Sequence, residues 1–118
     1  MKEIKFRGID KDTGNFVYGW YTKLVEGIRR FDAIISDIDG ELTRFYIHDS
    51  KTIGQFMGIC DKNKKEIYEG DRVLVDGTEY RVEWRGAGDW FVDIEYDSCF
   101  MFSPEVYELE VVGNVYRS

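Results

Sequence analysis

Two carboxylates stand two residues apart behind an apolar run in Ala33-Ile34-Ile35-Ser36-Asp37-Ile38-Asp39-Gly40-Glu41-Leu42. That spacing suits phosphoryl transfer, in which a strand delivers an aspartate nucleophile and a second aspartate serves as acid and base. Three features argue against it. Glu41 stands where that motif needs a threonine, the chain is short for the α/β fold the chemistry uses, and no helical pattern follows. An Asp39-Gly40 hairpin turn accounts for the same residues. Asp37, Asp39 and Glu41 are also the oxygen ligands a hard cation would need. The fuller calcium-loop pattern is missing, so no metal site is expected.

The other reactive side chains are sparse. His48 is the single histidine, which excludes histidine-pair catalysis and metal sites built on two imidazoles. His48-Asp49-Ser50 holds hydrolase residue types, but sequence neighbours rarely converge as a triad, and the segment is expected to end a strand. Cys60 and Cys99 have neither C-x-x-C nor zinc spacing and are expected to be reduced, largely buried thiols. Gly86-Ala87-Gly88-Asp89 lacks the third glycine and the following helix of a phosphate cradle. No cofactor and no catalytic residue is therefore expected, and the chain is not read as an enzyme. What remains is binding. Lys62, Lys64 and Lys65 are expected in a solvated loop; the alternative is a modest nucleic-acid patch with Arg29 and Arg30, since Phe and Tyr side chains interleave with basic ones in the N-terminal lobe, a combination that can hold a single strand. Trp84 and Trp90 flank the glycine-rich loop and either pack in a core or line an aromatic groove.

The elements that must position these residues are strands. Of 118 residues, 43% are hydrophobic, with eight Phe, eight Tyr, three Trp, twelve Gly and one Pro, Pro104. This is the composition of short strands joined by tight turns, in a chain long enough for one compact domain or two very small ones. Net charge is −7, unevenly spread: residues 1–65 hold 12 Lys/Arg against 10 Asp/Glu, and residues 66–118 hold 4 against 13. The acidic half disfavours simple DNA binding and suits a solvated surface or a face for a basic partner. No apolar run reaches the roughly 20 residues that span a bilayer, and the N-terminus leads directly into an alternating strand without a secretory pattern, so a soluble, cytoplasmic protein is expected.

Period-two alternation predicts strands over Glu3–Ile9, Phe16–Tyr21, Arg30–Ser36, Leu42–Ile47 and Ile53–Cys60. Reversals fall at Asp12–Asn15, Glu26-Gly27 and Asp39-Gly40. A polar loop, Asp61–Lys65, divides an N-terminal β-hairpin lobe (1–60) from a C-terminal lobe (66–118), the two sharing one core. In the second lobe Arg72–Val75 and Glu79–Trp84 flank an Asp76-Gly77 turn, and Trp90–Tyr96 follows. Ser103-Pro104-Glu105 looks like a helix start of one or two turns, and Val111–Tyr116 is the closing strand. That order predicts a mainly β protein whose second lobe is a small SH3-like barrel. Exposed edge strands predict a homo-oligomer.

One stretch, Gly58-Ile59-Cys60-Asp61-Lys62-Asn63-Lys64-Lys65-Glu66-Ile67-Tyr68-Glu69-Gly70-Asp71, resembles the YopX family of phage and prophage proteins. So do the opening Met1–Arg7 and the closing Glu110–Tyr116 with its Gly113-Asn114. Met57 and Lys64 depart from the family's usual threonine and glycine. Lys64 must either take a left-handed backbone or pass that conformation to Asn63. The resemblance implies a β-rich accessory protein of a phage or prophage in a bacterial host and supplies no catalytic residues. The motif residues have structural work. Gly58 and Gly70 permit tight backbone, Asp61 and Asp71 cap turns, and Ile67 and Tyr68 anchor the linker. The expected function is a non-enzymatic macromolecular interaction, with a protein partner favoured and a nucleic acid as the alternative. A phosphatase centred on Asp37 and Asp39 comes last.

Overall fold

The computed structural model describes residues 5–84, 89–93, 95–96, 98–102 and 104–116. The expected start over Met1–Ile4, the loop residues Arg85, Gly86, Ala87 and Gly88, and Ser103 lie outside the described residues. The protein is mainly β and divides into two units, Met1–Gln55 and Phe56–Ser118. The division falls within a strand, so residues 56–65 group with the second unit.

In the first unit β1 (Phe6–Ile9), β2 (Phe16–Glu26), β3 (Arg29–Ile38) and β4 (Glu41–Ile47) form an antiparallel sheet in the order β4-β3-β2-β1. The start of β5 (Gly54–Cys60) pairs beside β1. Strand β2 runs five residues beyond its expected end because Thr22–Glu26 pairs residue for residue with β3, down to Glu26 opposite Arg29. Asp39 and Gly40 both take positive φ, 53° and 86°, which matches the turn to the twist of β3 and β4. A single 3-10 turn, Ser50–Thr52, follows, and the Asp49 carboxylate caps it by accepting from Lys51 N at 3.0 Å.

The register sorts the sheet's side chains. On one face lie Tyr21, Ile34, Phe45 and Ile47, with Ile34 and Ile47 buried. The Phe6 and Tyr21 rings meet there at 5.9 Å. The opposite face carries Trp20, Leu24, Phe31, Ile35, Leu42 and Tyr46.

In the second unit the end of β5 pairs with β6 (Glu66–Tyr68), with an irregularity between Phe56 and Cys60 where Gly58 takes φ 83°. β7 (Asp71–Val75), β8 (Thr78–Trp84), β9 (Asp89–Asp93) and the two-residue β10 (Cys99–Phe100) meander, and β11 (Leu109–Asn114) returns beside β7. Alternate residues of these strands point inward: Val73 and Val75 on β7, Tyr80 and Val82 on β8, with Met57, Ile67, Phe91 and Leu109 around them. Each side chain so buried contributes about 1.5–3 kcal/mol, which makes this cluster the main stabilising feature of the unit.

Two expectations are corrected here. The sheet is open, in the order β10-β9-β8-β7-β11, and is not a closed barrel. β10, one edge, is only two residues long, so its ladder ends before any closure. Pro104–Val106 forms a turn rather than a helix, since the chain reaches β11 within three residues. The one short helical turn among the described residues is Ser50–Thr52 instead.

Gly70 is a tight point of the second unit. Its N–H donates to the Val82 carbonyl at 2.9 Å, and its carbonyl accepts from Val115 N at 2.9 Å. With φ at +94°, a Cβ there would lie 2.6 Å from the Tyr116 ring. Gly77 has a similar φ of +83°, but a Cβ there meets nothing within 4 Å. Gly70→Ala therefore combines backbone strain with a ring clash and should cost about 2 kcal/mol or more, whereas Gly77→Ala should cost about 1 kcal/mol. Urea unfolding of both variants checks this. Equal midpoints would show that Tyr116 imposes no constraint on Gly70.

Candidate functional site

The motif residues between Gly58 and Asp71 are knotted into backbone. The Asp61 carboxylate is buried and accepts from three amides: Asn63 N at 2.9 Å and Lys65 N at 2.8 Å through Oδ1, and Val111 N at 2.9 Å through Oδ2. Lys62 N donates to the Leu109 carbonyl at 2.8 Å, which ties the same loop to β11 a second time. Lys64 itself takes the left-handed backbone, at φ 65°. Asp71 accepts from Tyr68 N at 2.8 Å, and Ile67 and Tyr68 are buried. Gly113 lies opposite Arg72 just past a register shift in β11, and Asn114 Oδ1 accepts from Tyr116 N at 3.0 Å. These groups are engaged in holding the chain.

The carboxylates singled out for chemistry sit in a turn. Asp37 Oδ1 accepts from Gly40 N at 3.0 Å, and Asp37, Asp39 and Glu41 are all exposed. His48 is exposed at the end of β4, with Asp49 occupied as a cap. Among the described residues no three His, Cys, Asp or Glu side chains gather around a point that could hold a metal ion. Cys60 and Cys99 are free but exposed, not buried as expected, because each lies at a strand end or sheet edge. Trp84 is partly exposed at the end of β8. No helix among the described residues is long and apolar enough to cross a membrane.

What the first sheet does assemble is an open aromatic and basic face. Register places Trp20, Ile35 and Arg44 in one row across the strands, Thr22, Ala33 and Tyr46 in the next, and Leu24 beside Phe31 in a third. Trp20 is 54% exposed and Leu42 68%, although large apolar side chains on a covered sheet face would be buried. The Phe31 and Tyr46 rings meet edge-on at 5.5 Å. A guanidinium sits beside each: Arg29 Cζ is 5.2 Å from the Phe31 centroid and Arg44 Cζ 5.6 Å from that of Tyr46. Two depressions meet at Tyr46. One is shallow and runs over Leu24, Ile35, Leu42 and Arg44. The other is a cleft of about 560 Å³ at the strand ends, lined by Lys11, Arg29, Arg30 and His48 with Asp12 and Asp32.

Arg29 and Arg30 are the sequence-read residues that this site includes. Lys62, Lys64 and Lys65 belong to the other unit. Trp20, Arg44, Tyr46 and Lys11 were not singled out from the sequence. Period-two spacing of Leu42, Arg44 and Tyr46 marks them as sharing a face, but nothing in the pattern tells the open face from the buried one.

A family model described as YopX protein matches residues 5–118. No curated protein matches the chain.

On the covered face of the same sheet the Tyr21 hydroxyl donates to Asp32 Oδ1 at 2.6 Å. That hydrogen bond first, then burial and the nearby negative charge, push the Tyr21 pKa from 10.0 up to about 12. A raised folded-state value means the protonated phenol stabilises the fold below pH 10, and this contribution disappears as pH rises towards 12. Ultraviolet titration should show an ionisation near pH 12 that is missing in Tyr21→Phe. Stability of Tyr21→Phe should fall less steeply across that interval. A native titration with all tyrosines near their ordinary value would refute the contact.

Proposed function

The chain belongs to the YopX protein family, and on that footing we propose that it is a non-enzymatic interaction protein that engages another macromolecule through the open face of its first sheet. The observation that carries this reading is the row of large side chains on one side of β2, β3 and β4, with Trp20 and Leu42 more than half exposed. An apolar sheet face normally packs against a second layer, and surfaces of this kind on soluble proteins mark interaction sites. Asp37 and Asp39 give a phosphatase reading no support, since Asp37 holds Gly40 N and both flank a two-residue turn. A role as a phage or prophage accessory in the cytoplasm of a bacterial host is part of the same proposal, supported by the family. A homo-oligomer is supported by the free outer edge of β4, and a monomer mass by light scattering would refute it.

Loss of a central aromatic or aliphatic anchor costs binding about 2 kcal/mol, roughly thirtyfold in Kd. Both Trp20 and Leu42 are exposed, so Trp20→Ser with Leu42→Ser should change folding stability by only about 0.5 kcal/mol per site. Bacterial lysate passed over the immobilised native chain should leave bound protein or nucleic acid that the double variant does not retain. Identical profiles from two equally folded proteins would overturn the reading.

A further inference from the structure

We infer that the occupant of this face is single-stranded nucleic acid, with bases stacked on Tyr46, Phe31 and Trp20 and phosphates held by Arg29 and Arg44. The inference rests on the proposed role of that face and names its partner. Four observations support it.

Aromatic and cationic groups alternate on one surface. Arg29 lies over Phe31 and Arg44 over Tyr46, so these two rings each have a guanidinium within reach of an adjoining phosphate. A protein-docking face of the usual kind concentrates apolar contact at its centre and moves charge to the rim. Here Arg44 stands within the face, in the row of Trp20 and Ile35, and Arg29 follows Phe31 at its end.

The cations are uncommitted. Arg29, Arg30, Arg44 and Lys11 form no ion pair with another described residue. A nearby carboxylate that would compete for them, Asp32, accepts from the Tyr21 hydroxyl. Asp12 in the cleft, Glu26 opposite Arg29, and Asp37 beyond Ile35 are other acidic groups around the face.

The spacing fits a strand of nucleotides. Residues two apart on one side of a strand are separated by about 6.8 Å. Rings from neighbouring rows can therefore receive splayed bases one after another, and Tyr46 joins the shallow depression to the cleft where Lys11, Arg30 and His48 add positive charge. Sequence-tolerant single-strand binders use this pairing of stacking platforms with a basic track.

Charge also argues against a duplex. Residues 1–55 hold nine Lys/Arg and nine Asp/Glu, and residues 56–118 hold 7 against 14. A chain without broad positive potential lacks the sequence-independent attraction that duplex binding needs. Stacking on exposed bases supplies what electrostatics does not, and only unpaired bases offer their faces.

Fluorescence anisotropy with a short labelled oligothymidine, its RNA equivalent and a duplex of the same length tests this on the full chain. Single strands should bind at low salt, more tightly than the duplex, and weaken with added salt by a slope of about −0.7 per phosphate contact. Arg44→Gln, at an exposed site, should flatten that slope by about 0.7. Tyr46→Leu should weaken binding by about tenfold or more with the slope unchanged. Absence of single-strand binding at low salt overturns the inference, and so does binding that neither variant alters or that the duplex matches. If the lysate comparison still separates native from Trp20→Ser/Leu42→Ser when oligonucleotides fail to bind, the face serves a protein, and only the choice of partner is wrong.

Discussion

The buried carboxylate of Asp61 is the constraint on which the second unit depends. It accepts from three backbone amides, two in its own loop and one on β11, fifty residues away in sequence. Hydrogen bonds to a charged acceptor are worth roughly twice neutral ones, and a buried amide left without a partner costs about 1–3 kcal/mol. The loop and the closing strand therefore stand or fall together. Lys62, bonded to the Leu109 carbonyl, repeats the tie from the backbone side. Leu109 is thereby fixed over Met57, Ile67 and Val75, and the apolar cluster closes from that side.

The first unit depends on register instead. Seven consecutive residue pairs join β2 to β3 and seven join β3 to β4. A one-residue slip in either ladder would exchange the two faces. The buried Ile34 and Ile47 prevent it, since a slip would carry both into water. The open face is thus held in order by its opposite side. Trp20, Arg44 and Tyr46 stay in rows because the residues between them in sequence are committed to the core. Ala33 is buried at its centre, while Trp20, Leu42 and Arg44 stay exposed.

Much of the fold was legible. Asp39-Gly40 and Asp76-Gly77 announced hairpins, because an Asp-Gly pair adopts two positive φ angles at little cost. Alternation located most strands to within a few residues. It missed the extension of β2 because the polar pair Thr22-Lys23 and the apolar pair Leu24-Val25 break the alternation without interrupting the ladder. The barrel was over-read: strand order resembled one, but closure depends on the length of β10, which two residues do not announce. The helix start at Ser103-Pro104 was a matter of local preference, overridden by the short path to β11. Cys60 and Cys99 were expected in the interior from residue type alone, yet one ends β5, the other lies on the edge strand β10, and both are exposed.

By itself the sequence determined the family motif, the turns, and the pairing of aspartates and glycines that makes the motif structural. Turn chemistry and alternation are local, involving φ/ψ preferences and neighbours two residues apart, so they survive without knowledge of the rest of the chain. The open aromatic and basic face was decided only by tertiary structure. Arg29 and Phe31 come from one strand, Arg44 and Tyr46 from another and Trp20 from a third, and their residue types say nothing about adjacency. Both faces of this sheet alternate with equal regularity, and both carry aromatics. Which one stays open depends on what packs against the other, and that is a property of non-local contacts that no local pattern encodes.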